Sequence, residues 1–189
     1  MRLSRVLPLL VLLTAITLPA LADTYTVDPV HSFSLFRIRH MNVSWVWGRI
    51  NNPAGTVEFD PAAPEKTAFN LTLDAANIDT NNAQRDGHLK SPDFFNAKEF
   101  PTLSFKSTAV KKLDDKTLEV TGDLTIHGVT KSITAKIDLA GTGKDMKGNP
   151  LVAFETVVEI KRSDFGMTAL PAAVGDDVRL TIALEAGKK

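Results

Sequence analysis

The sequence contains no cysteine, so packing rather than disulfides must hold the fold together. It has no excess charge of either sign: 22 Lys and Arg stand against 22 Asp and Glu, which removes the electrostatic case for a nucleic-acid partner. Tyrosine is almost absent, one residue beside 10 Phe and 2 Trp, so the aromatic complement is apolar. Helical periodicity is also scarce, and without helices to supply crossovers a parallel sheet is excluded. No G-x-S-x-G elbow, HxH or HExxH spacing occurs anywhere in the chain.

One long apolar run is present, at the start. Arg2 and Arg5 precede VLPLLVLLTAITL, and Ala20-Leu21-Ala22 fits a small-x-small cleavage site before Asp23. This order reads as a signal peptide over 1–22, with one domain over 23–189. Export to the periplasm is the compartment it favours, the extracellular medium being second. Cleavage takes two arginines away and leaves the balance of charge near neutral.

From Asp23 onward the hydrophobic period is two. Phe69, Leu71, Leu73 and Ala75 alternate with Asn70, Thr72 and Asp74, and the same beat recurs at 118–126, 133–139, 151–160 and 178–184. Eight strands are expected, joined by short polar or Gly-containing turns at 113–118, 127–131 and 141–150. Eight antiparallel strands can close into a barrel or stack as a sandwich, and periodicity does not choose between them.

The stretch IDTNNAQRDGHLKSPDFFNAKEFP (78–101) departs from that beat. Thr80 or Asn81 can cap a short helix running toward Lys90, and Ser91-Pro92 can open a second turn through Phe94 and Phe95. A polar insertion with helical turns between strands is a natural cover for a barrel. Arg85 has Asp79 and Asp86 as easy ion-pair partners.

Both faces of SFSLFRIRHM (32–41) are apolar. Phe33 and Leu35 share parity with Arg37 and Arg39, whereas Phe36 and Ile38 share it with His40. If the first set faces inward, two guanidinium groups border the interior and need carboxylates or an anionic ligand. If it faces outward, they are surface residues. Trp45 and Trp47, in phase with Met41, either line a cavity mouth or belong to the core. The four histidines, His31, His40, His88 and His127, lie on separate elements, which argues against a metal site. A hydrolase would need His88 with Asp86 or Asp79 and Ser91, a spacing equally suited to hydrogen-bonded structure.

DPVHSFSLFRIRHM (28–41), IDTNNAQRDGHLKSPDFFNAKEFPTLSF (78–105), GDLTIHGVTK (122–131), RSDFGM (162–167) and VGDDVRLTIALEA (174–186) together resemble the YceI-like family, in the right order across nearly all of 23–189. The resemblance implies an all-β fold: an eight-stranded antiparallel lipocalin-like barrel with a long internal apolar cavity and one short helical insertion between strands. It implies a non-enzymatic binding or carrier role, without metal or other cofactor, for a long-chain isoprenoid (polyprenyl phosphate or quinone-like) or similar fatty-chain lipid. A place in stress responses, transient contact with the membrane or a b561-type membrane cytochrome, and a homodimer belong to the same picture. The expected ligand residues are Phe33, Leu35, Phe36, Arg37, Ile38, Arg39, His40, Trp45, Trp47, Arg85, His88, Phe94, Phe95, Arg162 and Phe165, the cations being candidates for the polar end of the lipid. The alternative is a structural or adaptor β-protein, whose filled core would contain no long void.

Overall fold

The computed structural model describes residues 22–188; the N-terminal basic and apolar segment read as a signal peptide lies outside them. Eleven strand segments follow one another: β1 (Asp23–Val27), β2 (Phe33–His40), β3 (Ser44–Ile50), β4 (Ala54–Phe59), β5 (Ala68–Asp74), β6 (Ile78–Asp79), β7 (Thr102–Lys112), β8 (Thr117–Ile126), β9 (Val129–Lys144), β10 (Pro150–Lys161) and β11 (Val174–Gly187). A single short helix, α1 (Ala83–Leu89), interrupts them between β6 and β7.

All pairings are antiparallel, and the segments combine into eight long strands. β1 and β2 both lie along β11, in registers Val27↔Ala186 and Phe33↔Ala183, so they are two halves of one strand. β3 with β4, and β5 with β6, are likewise halves of continuous runs, since β3 pairs β2 and β6 while β4 pairs β1 and β5. The order therefore runs round sequentially and closes where β11 meets β1 and β2. Closure makes this a barrel rather than a sandwich and pairs the edges of the sheet.

Each break has a local chemical cause. Between β1 and β2, Pro29 supplies no N–H, and Asp28 Oδ1 accepts from Val30 N at 2.8 Å to form a turn. Between β3 and β4, Asn52 takes a left-handed φ of 59° before Pro53. After β5, Asp74 caps the 3-10 turn Ala75–Asn77 by accepting from Ala76 N at 2.8 Å. Short polar side chains bend the strands that a closed barrel needs bent.

Inward residues form two clusters. At one end Tyr25, Phe59, Phe154 and Phe69 meet edge to face, with ring centroids 6.4, 5.6 and 5.2 Å apart along the chain of contacts. Burying each aromatic contributes ~1.5–3 kcal/mol, so this group is a main anchor of the closed end. A second cluster gathers Ile50, Ile78, Leu124, Ile126, Phe165 and Met167 near α1 and the 3-10 turn Arg162–Phe165.

The break at 28–32 is clasped to β11. Asp28 N donates to Glu185 O at 2.8 Å, and Glu185 N donates to Ser32 Oγ at 3.0 Å, where a ladder bond would otherwise be lost. His31 Nδ1 lies 2.7 Å from Asp28 Oδ2 and 3.8 Å from Glu185 Oε1. The hydrogen bond to Asp28 and its charge raise the His31 pKa, and the bonds from His31 and Val30 N–H lower that of Asp28. The imidazolium contact stabilises the fold fully below the unfolded His pKa and is lost as pH rises through the raised folded value. The carboxylate contribution is lost as pH falls through its own lowered value, so both operate between the two. His31→Ala should therefore destabilise the protein more at about pH 5 than at about pH 9, as read by urea unfolding. An equal loss at both would remove the ion pair from this clasp.

Candidate functional site

Strand alternation sends one row of each long strand into the barrel. Ser34, Phe36 and Ile38 come from β2, Leu71 and Leu73 from β5, Ile133 and Ala135 from β9, and Val178, Leu180 and Ile182 from β11. Neighbouring rows from β7, β8 and β10 complete the wall. The cavity they enclose measures ≈ 220 Å³, and it reaches from the Phe69–Phe154 pair to Leu89, Phe94, Phe95 and Met167 at the α1 end. One water needs ~10–15 Å³ on this measure and two to four polar partners, so the space is far too large and too apolar to be explained by a trapped water.

The cover at the α1 end is built from the irregular stretch after β6. Asn82 is the N-cap of α1, its Oδ1 accepting from Arg85 N at 2.9 Å, so the cap falls one or two residues beyond the expected Thr80 or Asn81. Asn81 instead adopts a left-handed φ of 59° and donates to Asp79 Oδ1. Thr80 N donates to Asp86 Oδ1 at 2.8 Å, while Arg85 donates to the Thr80 hydroxyl and carbonyl at 2.7 and 2.6 Å. Arg85 thus ties the start of the helix down and does not pair with Asp79, which binds Arg49 at 2.9 Å across β3 and β6. Ser91 O accepts from Phe94 N at 3.1 Å, and Phe95 N donates to Leu89 O at 2.9 Å. These bonds fold the turn so that Phe94 and Phe95 point into the cavity.

Phe36, Ile38, Phe94, Phe95 and Arg162 of the expected set line the cavity. Phe165 is buried beside it in the second cluster and is not part of the wall. Arg85 is in the cover, and His88 is on its outer side, 2.9 Å from Asp93 and edge-on to Phe94. Phe33, Leu35, Arg37 and Arg39 face outward, because Ser34, Phe36 and Ile38 take the inner parity. Trp47 and Trp45 are cross-strand partners of Arg37 and Arg39 and so are outside as well. His40 is exposed at the end of β2. Most of the wall comes instead from β5, β7, β8, β9, β10 and β11, whose alternating apolar rows are legible in the sequence.

Arg162 is the one guanidinium in the wall, and it is 5% exposed. Its Nε donates to Gly175 O at 2.8 Å, Nη1 to Met167 O at 2.7 Å and Nη2 to Val174 O at 3.0 Å. The Val174 and Gly175 carbonyls are presented where a bulge breaks the β2–β11 ladder between Val174 and Val178, and the Met167 carbonyl comes from the chain just after the 3-10 turn. Burial pulls the Arg162 pKa down and the nearby Asp176 carboxylate opposes this, so the side chain is a charged staple joining the 3-10 turn to β11. Apart from Glu155, an exposed residue that borders the space, the wall is otherwise hydrocarbon with a few hydroxyls; Thr156 Oγ1 is engaged by donating to Lys136 O at 2.7 Å. The histidines do not meet here: His127 Nδ1 lies 3.1 Å from Phe165 O, and His31 is in the β1–β2 break.

Residues 25–186 match the YceI-like domain family. The chain belongs to the YceI-like family. Protein YceI of Salmonella newport is 39% identical over 168 residues, which span 88% of this chain and 87% of that one. The crystal structure of the YceI protein of Campylobacter jejuni superposes with a TM-score of 0.71 at 34% identity, covering 80% of this chain and 90% of that one. A domain from Saccharophagus degradans described as polyisoprenoid-binding superposes with a TM-score of 0.70 over 90% of this chain and all of its own length; at 15% identity it carries the fold alone. The YceI-like barrel is thus shared, walls, cover and cavity being formed here by this chain's own residues.

Because Arg162 gives three hydrogen bonds to backbone carbonyls from a buried position, Arg162→Met should cost roughly 2–4 kcal/mol in urea unfolding, with Arg162→Lys recovering part of it. Unchanged stability with loss of a bound lipid would make Arg162 a ligand contact instead.

Proposed function

We propose that this YceI-like protein is a periplasmic carrier for a long-chain isoprenoid, polyprenyl phosphate or quinone-like, or a comparable fatty-chain lipid. The tail occupies the barrel cavity and the polar end stays toward solvent. The observation that carries this reading is the apolar cavity between the Phe69–Phe154 pair and the Phe94–Phe95 cover. A hydrocarbon chain is suited to such a wall, since each buried CH2 contributes ~0.8 kcal/mol and needs no polar partner. About ten such groups supply ~8 kcal/mol, the scale of a micromolar Kd before ordering costs are subtracted.

A polar head drawn fully inside would find little to bind. Arg162 is the only cation of the wall, and three of its five N–H donors are given to backbone carbonyls. Selectivity on this reading lies in the length and bulk of the chain more than in the head group. A carrier needs no acid–base pair, and no reaction is assigned to the cavity. The N-terminal basic segment, apolar run and small-x-small site support export and the periplasm as the place of work. A filled-core adaptor is disfavoured by the cavity itself.

Native mass spectrometry of protein taken from its own periplasm, followed by organic extraction, should reveal a bound long-chain lipid. Ala135→Trp, which projects an indole into the cavity, should abolish that occupancy at an overpacking cost of ~1–3 kcal/mol. A barrel that is isolated without lipid and also rejects added prenyl lipids would refute the carrier reading.

A further inference from the structure

The outward face of the β2–β3 hairpin is not explained by the cavity. β3 has β6 as its neighbour only at Arg49 and Ile50, so residues 44–48 pair with β2 alone and form a free edge, while β2 itself stays paired with β11 as far as His40. Its outer side carries Trp45 and Trp47, 40% and 54% exposed, with Phe33 at 51% on the same parity. The tip adds Met41 and Val43, 56% and 82% exposed. Met41 holds a left-handed φ of 51°, which costs a non-glycine residue ~1–2 kcal/mol, and the side chain so placed meets only water at its exposed part.

Two arginines are set among these apolar groups. The Arg37 guanidinium lies 4.4 Å from the Trp45 ring centroid and 5.6 Å from that of Trp47, and Arg39 lies 4.3 Å from Trp45. Among the described residues neither makes a salt bridge, and the Arg37 Nε is buried without a hydrogen-bond partner. The acidic groups nearby are mostly engaged elsewhere: Asp79 pairs with Arg49, Asp176 accepts from Ser163 and Asp177 pairs with Lys161. Arg179, the cross-strand neighbour of Arg37, adds another cation to this side, with Glu159 opposite it in the β10–β11 register. Arg37, half-buried, and Arg39, exposed, are therefore cations held against indoles on the outer face without a salt-bridge partner among the described residues.

We propose that this hairpin face docks the protein on an anionic phospholipid bilayer. Indole rings settle at the headgroup level, Met41 and Val43 reach the acyl boundary, and the two guanidiniums meet lipid phosphates, to which they are suited by their fork of donors. A second copy of the chain fits the same face worse. In a two-fold contact the patch meets itself, so the two unmatched arginines would confront two more. The bilayer supplies the missing anions. The chain as a whole has no net charge, so attraction depends on this local pair and should be screened by salt. This inference stands apart from the carrier reading, because none of these side chains lines the cavity.

Flotation of the mature protein with vesicles of phosphatidylcholine alone, and of phosphatidylcholine mixed with phosphatidylglycerol, tests it. Binding is expected to the mixed vesicles, weakening as salt is raised, and little to phosphatidylcholine. Arg37→Gln with Arg39→Gln should weaken it roughly tenfold or more, and Trp47→Ser severalfold, while the cavity variant Ala135→Trp binds vesicles as the parent does. Circular dichroism confirms that each variant is folded. Failure of the parent to bind the mixed vesicles, or a double arginine variant that binds them equally well, overturns the proposal. A dimer in sedimentation velocity that the arginine variant converts to monomer, with vesicle binding unchanged, would assign the face to a second copy.

Discussion

The interior of this barrel depends on β11 finding two partners at once. Along its first part β11 pairs with β2, and at Ala186 and Gly187 it pairs with β1. Without that double pairing the sheet would stay open, and its inward rows would collapse on each other or face water. The transition from one partner to the other falls at the Pro29 break, where Ser32 and Asp28 replace lost ladder bonds to Glu185. Polar groups at one small irregularity thus permit a largely apolar interior elsewhere.

The same logic sets the division of labour inside. The edge-to-face aromatics at the Tyr25 end pack against one another and bound the space with Phe69 and Phe154, while the rows of Leu, Ile and Val beyond them leave room. Arg162 and its bulge hold the other end in shape, and the α1 cover brings Phe94 and Phe95 over the space. Charged groups near the cavity therefore serve the scaffold, and hydrocarbon makes the site. On the proposed carrier reading, such a site would recognise a chain by the area it removes from water.

Much of this was legible in the sequence because strand alternation is a strong signal. The rows Phe69-Leu71-Leu73, Ile133-Ala135-Ile137 and Leu180-Ile182-Leu184 mark the wall directly. The strand breaks were harder to foresee, since β1 is short and the halves of each long strand differ in partner. β2 was ambiguous for a physical reason: Phe33 and Leu35 are as apolar as Phe36 and Ile38, so hydrophobicity could not orient it. The tryptophans of β3 resolve the case by stacking with Arg37 and Arg39 outside. Arg162 stood in the sequence as a candidate for the polar end of a ligand, but its carbonyl partners, Met167, Val174 and Gly175, are brought together by the 3-10 turn and the bulge in β11, which no local pattern announces. The helix cap moved to Asn82 because Thr80 is committed to Asp86 and Arg85.

The central claim is that the cavity exists to be filled by a chain of hydrocarbon. A crystal structure of protein purified from its native periplasm tests it most directly. The account predicts continuous, unbranched or methyl-branched tubular density running from the Phe69–Phe154 pair toward Phe94 and Phe95. Inward side chains repacked to close the space, or a row of ordered waters along the wall, would contradict it.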